Sequence, residues 1–289
     1  TVTFLLLRLL PGDPALALAS PNMTDAIRAT ILEQYGLHQP LIVQYWLYMV
    51  QLVHGNLGIS FTQSIPVTEV IMQRLPWTLL LTLTALVLTI VVGIPLGVLA
   101  AAHKGRWVDR AVQIVGVTGQ SLFVPSVGIL MLFVFGLYFR WFPIGGAYDQ
   151  EVYGLDWYAS VLRHLVLPAI SLMLVQIGSY VLTMRSTLIE ALSEDYVTLA
   201  KANGLRYRRI LWKHALRNAL LPTTTLIGLQ LGFLVGGAVL TETVFAYPGI
   251  GRGIYEAVTR LDFPVLQGAF LMLAGTVVVV NLITDIVCG

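Results

Sequence analysis

Apolar residues run for the length of a bilayer crossing at 77–102, 111–138, 165–184, 220–240 and 263–287, and a shorter apolar run occupies 1–10. A helix needs about 20 residues to cross the hydrocarbon core, so each of the five longer runs predicts one spanning helix. The run at 1–10 is about half that length and is expected to be the truncated end of a first spanning helix, which makes about six in all. In lipid every backbone polar group needs an internal partner, and these runs lack the short alternation of barrel strands, so helices are the available answer. The expected fold is an all-α polytopic membrane protein.

The connections carry structure of their own. In the long first one, Thr24 is placed to cap a helix over 25–35 with Ile27, Ile31 and Tyr35 on one face, ended by Gly36. Pro40 suits the first position of a second helix over 41–53, whose Tyr45, Trp46 and Tyr48 mark it as interfacial and which Gly55 stops. The chain therefore divides into the stub at 1–10, a small external helical cap over 11–76, and a five-helix core over 77–289. Within the core, Gly93 with Gly97, and Gly228 with Gly232 and Gly236, recur every four residues and predict two seams where helix backbones approach closely.

Composition agrees with lipid as the solvent: 57% of residues are hydrophobic and only 11% charged, too few charges to cover a soluble globule of this length. The net charge of +2 argues for neither nucleic acid nor a polyanionic partner. A single cysteine, Cys288, excludes an intrachain disulfide framework and any paired-cysteine metal or redox site. The placement of charge says more than its sum. Lys104, Arg106 and Arg110 crowd the connection after the second span, and Arg185, Lys201, Arg206, Arg208, Arg209, Lys213 and Arg217 crowd the one after the fourth, so both are expected on the cytoplasmic side. The other connections mix Arg28, Arg74, Arg140, Arg163, Arg252 and Arg260 with Asp149, Glu151, Asp156, Glu242, Glu256 and Asp262, and are expected outside.

The connection at 186–218 contains no proline and one glycine, Gly204, so it is expected to be ordered. Glu194 and Asp195 stand where negative charge meets the start of a helix dipole, Tyr196 to Ala202 form that helix, and Gly204 ends it. Ile210, Leu211, His214, Ala215 and Leu216 then recur at helical spacing. Two short helices around a glycine are predicted. Topology alone requires only basic residues near the membrane; an apolar-faced helix pair with a defined bend implies a surface that holds a partner.

Asp195-Tyr-Val-Thr-Leu-Ala-Lys-Ala-Asn-Gly204, followed by His214-Ala-Leu-Arg-Asn-Ala-Leu-Leu-Pro222, resembles the cytoplasmic "EAA" loop of ABC importer permeases, in the form found in the oligopeptide, dipeptide and nickel subfamily. Leu10-Pro-Gly-Asp-Pro-Ala15, His54-Gly-Asn-Leu-Gly58, Gly93-Ile-Pro-Leu-Gly-Val-Leu-Ala-Ala101 and Thr241-Glu-Thr-Val-Phe-Ala-Tyr-Pro-Gly-Ile-Gly251 resemble the landmarks of that family in order. The chain departs from the general pattern at Thr198, where the loop begins with Glu, at Arg217, where it carries proline, and at Asn56, where an acid is more usual. The family's basic C-terminal tail is not among these residues, and the chain is expected to be truncated at that end.

The resemblance implies a type I importer transmembrane domain in a bacterial or archaeal cytoplasmic membrane. It would act with a second homologous permease subunit, two ATPase subunits that hold ATP and Mg, and an extracytoplasmic substrate-binding protein, with no cofactor on this chain. Glu194, Asp195, Tyr196, Ala200, Ala202, Gly204, Leu205, Arg208 and Leu211 would form the segment seated on the ATPase, Gly204 fixing its bend. Gly249-Ile-Gly251-Arg-Gly253 lacks the lysine and preceding strand of a phosphate-binding loop and reads as a turn. Gln176 and Gln230, like Asn281 and Asp285, are polar within apolar spans and suit either interhelical hydrogen bonds or the translocation path. Glu242 and Arg252 flank the external loop after the fifth span and suit either its mouth or an exposed ion pair. A secondary transporter or channel would place ionisable groups near the midplane, and an intramembrane enzyme a nucleophile and base within the spans; Asp285 alone is a candidate for the first, and all five histidines fall in loops or at helix ends. Peptide is the expected cargo.

Overall fold

The computed structural model describes residues 39–288, except for the side chains at 229–237, 280, 281, 283–285, 287 and 288. The expected stub at 1–10 and the cap helix at 25–35 lie outside the described residues. What is described is helical, and its residues gather into two units.

The first unit joins residues 39–79 to Pro248–Thr276. Its first helix, α1 (Leu41–Val53), starts directly after Pro40 and ends as the sequence predicts. Gly55 takes φ +73°, and the Gly55 and Asn56 N–H groups donate to the Leu52 and Gln51 carbonyls, each at 2.9 Å, which satisfies two acceptors of the last turn of the helix. Helix α2 (Val67–Ala102) follows, and this unit's part of it packs Val67 and Ile71 against Ile254 of α8 (Ile250–Thr259) and Leu266 and Ala269 of α9 (Phe263–Cys288). Asp262, buried between α8 and α9, accepts hydrogen bonds from the Ser60 hydroxyl at 2.6 Å, the Thr62 hydroxyl at 2.7 Å and the Phe61 and Thr62 N–H groups, pinning the loop ahead of α2. Asn56 Oδ1 accepts the Gly58 N–H at 2.9 Å, so the amide supplies the acceptor that an acid would there. Nearby, Glu256 is held by Arg74 at 2.7 Å and Arg252 at 2.8 Å.

The second unit joins Leu80–Tyr247 to residues 277–288. It contains the rest of α2, then α3 (Trp107–Ser121), α4 (Val124–Met131, carried on by a π-helical stretch Leu132–Tyr138), α5 (Leu155–Ala191), α6 (Asp195–Ala202) and α7. Helix α7 starts at Tyr207–Arg209, widens to π geometry over Ile210–Ala215 and continues as Leu216–Val244. Among the described residues, α2 and α5 are each long and apolar enough to cross a bilayer. Their 36 and 37 residues correspond to about 55 Å of helix, well beyond the ~30 Å core, so each projects out of the membrane or tilts within it.

Two sequence expectations change. The single span expected at 111–138 is a pair, α3 and α4, bent by 102°. Leu122 and Phe123 are extended, with ψ of 136° and 120°, and Pro125, which has no N–H for the carbonyl four residues back, cannot continue α3 and sits in the first turn of α4, where no such N–H is needed. The line between cap and core, expected at 76, falls inside α2: hydropathy sees the apolar run from Trp77, whereas the helix starts at Val67 on residues that face the core of the first unit.

The Gly93 and Gly97 seam is present. A Cβ built on Gly97 would lie 2.7 Å from Met184 Cβ, and one on Gly93 3.1 Å from Tyr180 Cβ, so α2 lies directly against α5. Helix α3 makes the same approach to α5, with Gly119 against the Leu174 carbonyl and Gly178 against that of Gly116. In the other expected seam, the surroundings of Gly232 and Gly236 lie outside the described residues.

Candidate functional site

The site is assembled where α5 ends, α6 turns and α7 starts. Glu194, extended at φ −71° and ψ 154°, leads into α6, with Asp195 in its first turn and Lys201 in its last, each charge placed where the helix dipole favours it. At the far end Gly204 takes φ +73°. Its N–H donates to the Lys201 carbonyl at 3.0 Å and the Leu205 N–H to the Ala200 carbonyl at 3.2 Å, the paired closure of a Schellman motif. A Cβ on Gly204 would meet nothing within 4 Å. The glycine is therefore required by backbone conformation and not by crowding.

The second of the two expected short helices is not separate. No glycine or proline interrupts the chain from Tyr207 to Leu221, so the helix that starts after the bend runs unbroken into the next span. α6 is thus joined to this continuous helix by the Gly204 turn and by side-chain packing, and Pro222 lies within the helix where the span begins.

Burial divides the residues of the loop into two faces. Val197 and Ile210 are fully buried with Ala200, flanked by Tyr196 and Leu205, and this cluster fastens α6 onto the start of α7. Leu211 and Ala215 join Val98 and Ala101 of α2 and Met184 and Leu188 of α5 in a second cluster. Burying such side chains stabilises by about 1.5–3 kcal/mol each, enough to hold an eight-residue helix that would be marginal alone. Of the nine residues expected to seat on a partner, Ala200 and Leu211 are thus interior packing and Tyr196 and Leu205 are half-buried. Glu194, Asp195, Ala202, Gly204 and Arg208 are exposed, and beside them Leu199 leaves 64% of its surface uncovered.

An ion pair missed in the sequence braces this region. Asp109 in α3 is 2% exposed and is gripped by Arg185 of α5 in a two-pronged pair, Nε at 2.5 Å and Nη2 at 2.9 Å. The Gly105 N–H and the Gln113 amide complete its shell at 2.8 and 2.9 Å. In the sequence Arg185 reads as one of the basic residues that orient the chain, and its acidic partner stands as a lone acid among Lys104, Arg106 and Arg110. Asp262 was likewise detectable, as an acid two residues ahead of Pro264 at a helix start.

The expected path residues do not converge. Gln176 is half-buried in α5, and its Oε1 is buried with no hydrogen-bond partner among the described residues. The side chains of Gln230, Asn281 and Asp285 lie outside the described residues. Glu242, expected at an external mouth or in an exposed pair, is instead fully buried in the last turns of α7, with the Tyr247 N–H donating back to its carbonyl at 2.8 Å. Burial first and the Glu242 charge second push the Tyr247 hydroxyl up from its ordinary value. Arg252 has Glu256 as its partner, one turn away on α8. Burial raises the Glu256 carboxyl, but Arg74 and Arg252 outweigh it and hold the group below its ordinary value.

Comparison with known proteins gives this arrangement a context. Residues 93–288 match the family model for the binding-protein-dependent transport system inner membrane component, and residues 1–82 match the model for the N-terminal part of such membrane components. The "Probable D,D-dipeptide transport system permease protein DdpB" of Escherichia coli is 40% identical, the match covering 99% of this chain and 89% of that protein. The dipeptide transport system permease protein DppB of E. coli is 36% identical over 100% of this chain and 91% of its own length. The glutathione transport system permease protein GsiC of Salmonella choleraesuis is 35% identical, with 99% and 89% covered. Among solved structures, the MetNI methionine ABC transporter in an inward-facing conformation superposes with a TM-score of 0.60 at 17% identity, covering 76% of this chain and 95% of its own, a likeness of fold.

Proposed function

Because this chain belongs to the family of inner membrane components of binding-protein-dependent transport systems, we propose that α6 and the Gly204 turn are the element through which a partner ATPase drives it. Permeases of this kind work with an ATPase and a substrate-binding protein. The finer assembly proposed here is one copy of this chain, a second homologous permease subunit and two ATPase subunits that carry ATP and Mg, fed by an extracytoplasmic binding protein.

The observation that carries the reading is the division of α6 into a buried face locked onto α7 and an exposed face bearing Leu199, Ala202 and the start of the helix. A partner that grips the exposed face moves α6 as a rigid body, and the unbroken α7 together with the cluster on α2 and α5 carries that movement into the spans. The cargo is proposed to be a peptide, since the similar permeases are named for dipeptides, D,D-dipeptides and glutathione; the ligand that copurifies with the cognate binding protein tests this. For the docking element the test is Leu199→Asp. The variant inserts in the membrane in normal amount and loses copurification of the ATPase subunits; an ATPase retained at the wild-type ratio contradicts the reading.

A further inference from the structure

Beside the docking element, and sharing Lys201 with it, two concavities of the second unit meet. One is an apolar groove of about 590 Å³ between the end of α2 and the start of α7, lined by Leu96, Leu99, Leu211 and Trp212. The other, about 500 Å³, is lined by Lys104, Arg106 and Lys201. Ala102, His103 and Tyr207 line both, so they form one continuous surface. No carboxylate lines either, and none of Lys104, Arg106, Lys201 and the adjoining Arg208 has an ion-pair or side-chain hydrogen-bond partner among the described residues. The neighbouring Arg185 shows the contrast, since its charge is matched by a buried aspartate. Trp212 leaves 57% of its surface uncovered and Leu99 42%, so the apolar half is open as well.

An apolar slot that ends in a nest of unmatched cations fits a ligand with a hydrocarbon part and a negative head. Each volume lies within the roughly 300–1,000 Å³ of small-molecule sites. Basic pockets between helices at the membrane surface hold anionic lipid headgroups, and Tyr207 at the junction, with Trp212 in the apolar part, suits the depth where tail gives way to head. We propose that this surface is a specific site for one anionic phospholipid, an acyl chain lying along Leu96, Leu99 and Trp212 and the phosphate reaching Lys104, Arg106 and Lys201. Because Lys201 belongs to α6 and Leu211 to the cluster that fixes α7, a lipid here bridges α2 to the moving element and makes transport sensitive to membrane charge.

The test uses the assembled transporter, delipidated in detergent and titrated with phosphatidylglycerol or with phosphatidylcholine of the same chains, retained lipid being counted by native mass spectrometry. Wild type retains one phosphatidylglycerol in preference to phosphatidylcholine. Lys104→Gln with Arg106→Gln weakens that retention about 25-fold, at roughly fivefold per cation. Those cations also help to orient the chain, so Leu99→Trp, which fills the slot and leaves every cation, serves as the second variant; it displaces the lipid at least tenfold. Equal retention of both lipids by wild type, or unchanged phosphatidylglycerol retention in both variants, overturns the site. So does competition by glycerol phosphate alone as effective as by the lipid, which would make it a plain anion site. A photo-crosslinker at Trp212 that captures a protein subunit in place of lipid overturns it too.

Discussion

Replacing Gly204 isolates what the bend contributes. Its φ of +73° is a left-handed conformation, yet the space around a built Cβ is empty. An L-alanine there meets no clash and is opposed only by backbone strain, about 1–2 kcal/mol. That is modest for a whole protein, but α6 has eight residues and is marginal without its closure. A cost of this size shifts the balance between docked and frayed α6 by about 5–30-fold. Asparagine is larger than alanine yet tolerates the left-handed region, so Gly204→Asn costs less than Gly204→Ala, while the branched Gly204→Val costs most. The assay is binding-protein-stimulated ATPase activity and peptide uptake by the reconstituted transporter, with hydrogen exchange of the 195–205 amides as the local readout. Coupling falls in the order Gly, Asn, Ala, Val, with exchange rising in the same order and insertion unchanged. An order that follows side-chain volume, Ala better than Asn, or wild-type coupling in Gly204→Val, refutes the backbone argument.

The remaining predictions concern the ion pairs. Asp109→Ala leaves Arg185 without its counter-charge and lowers stability by about 3 kcal/mol, whereas Asp109→Leu with Arg185→Met recovers most of the loss; thermal unfolding of the purified protein checks this, and equal losses in both variants contradict it. Glu256 is held below the ordinary carboxylate value of 4.5 by its two arginines, so its contribution is complete above that pH and is lost as pH falls through the lower folded value. The gap in unfolding temperature between wild type and Glu256→Gln is therefore constant from pH 7 to 5 and closes below about pH 4.5. A gap that widens on acidification contradicts the assignment.

The fold was legible where local chemistry decides it. Pro40 and Gly55 bracket α1, and Gly204 closes α6, because a fixed φ and a left-handed glycine leave the backbone little choice. Gly93 and Gly97 announced their seam for a related reason, since only small residues admit a facing backbone. Hydropathy was weaker at joints. It merged α3 with α4, as an apolar run looks the same on both sides of Pro125, and it separated the start of α7 from the span that follows, because the pattern changes from amphipathic to apolar while the helix does not stop. Long-range polar partners were illegible: Arg185 and Asp109 stand 76 residues apart, and Asp262 meets Ser60 across 202. For the candidate site, the loop and its bend could be read, but its two faces could not, because nothing in the spacing of Leu199, Ala200 and Leu211 says which of them α7 and its neighbours cover.

The most direct test of the docking claim is a photo-crosslinking residue at exposed Asn203, with a matched probe at Val197 on the buried face. In the assembled transporter the Asn203 probe captures an ATPase subunit and the Val197 probe captures none. Capture of lipid or binding protein from Asn203, or labelling of that position from outside sealed cells, contradicts the account.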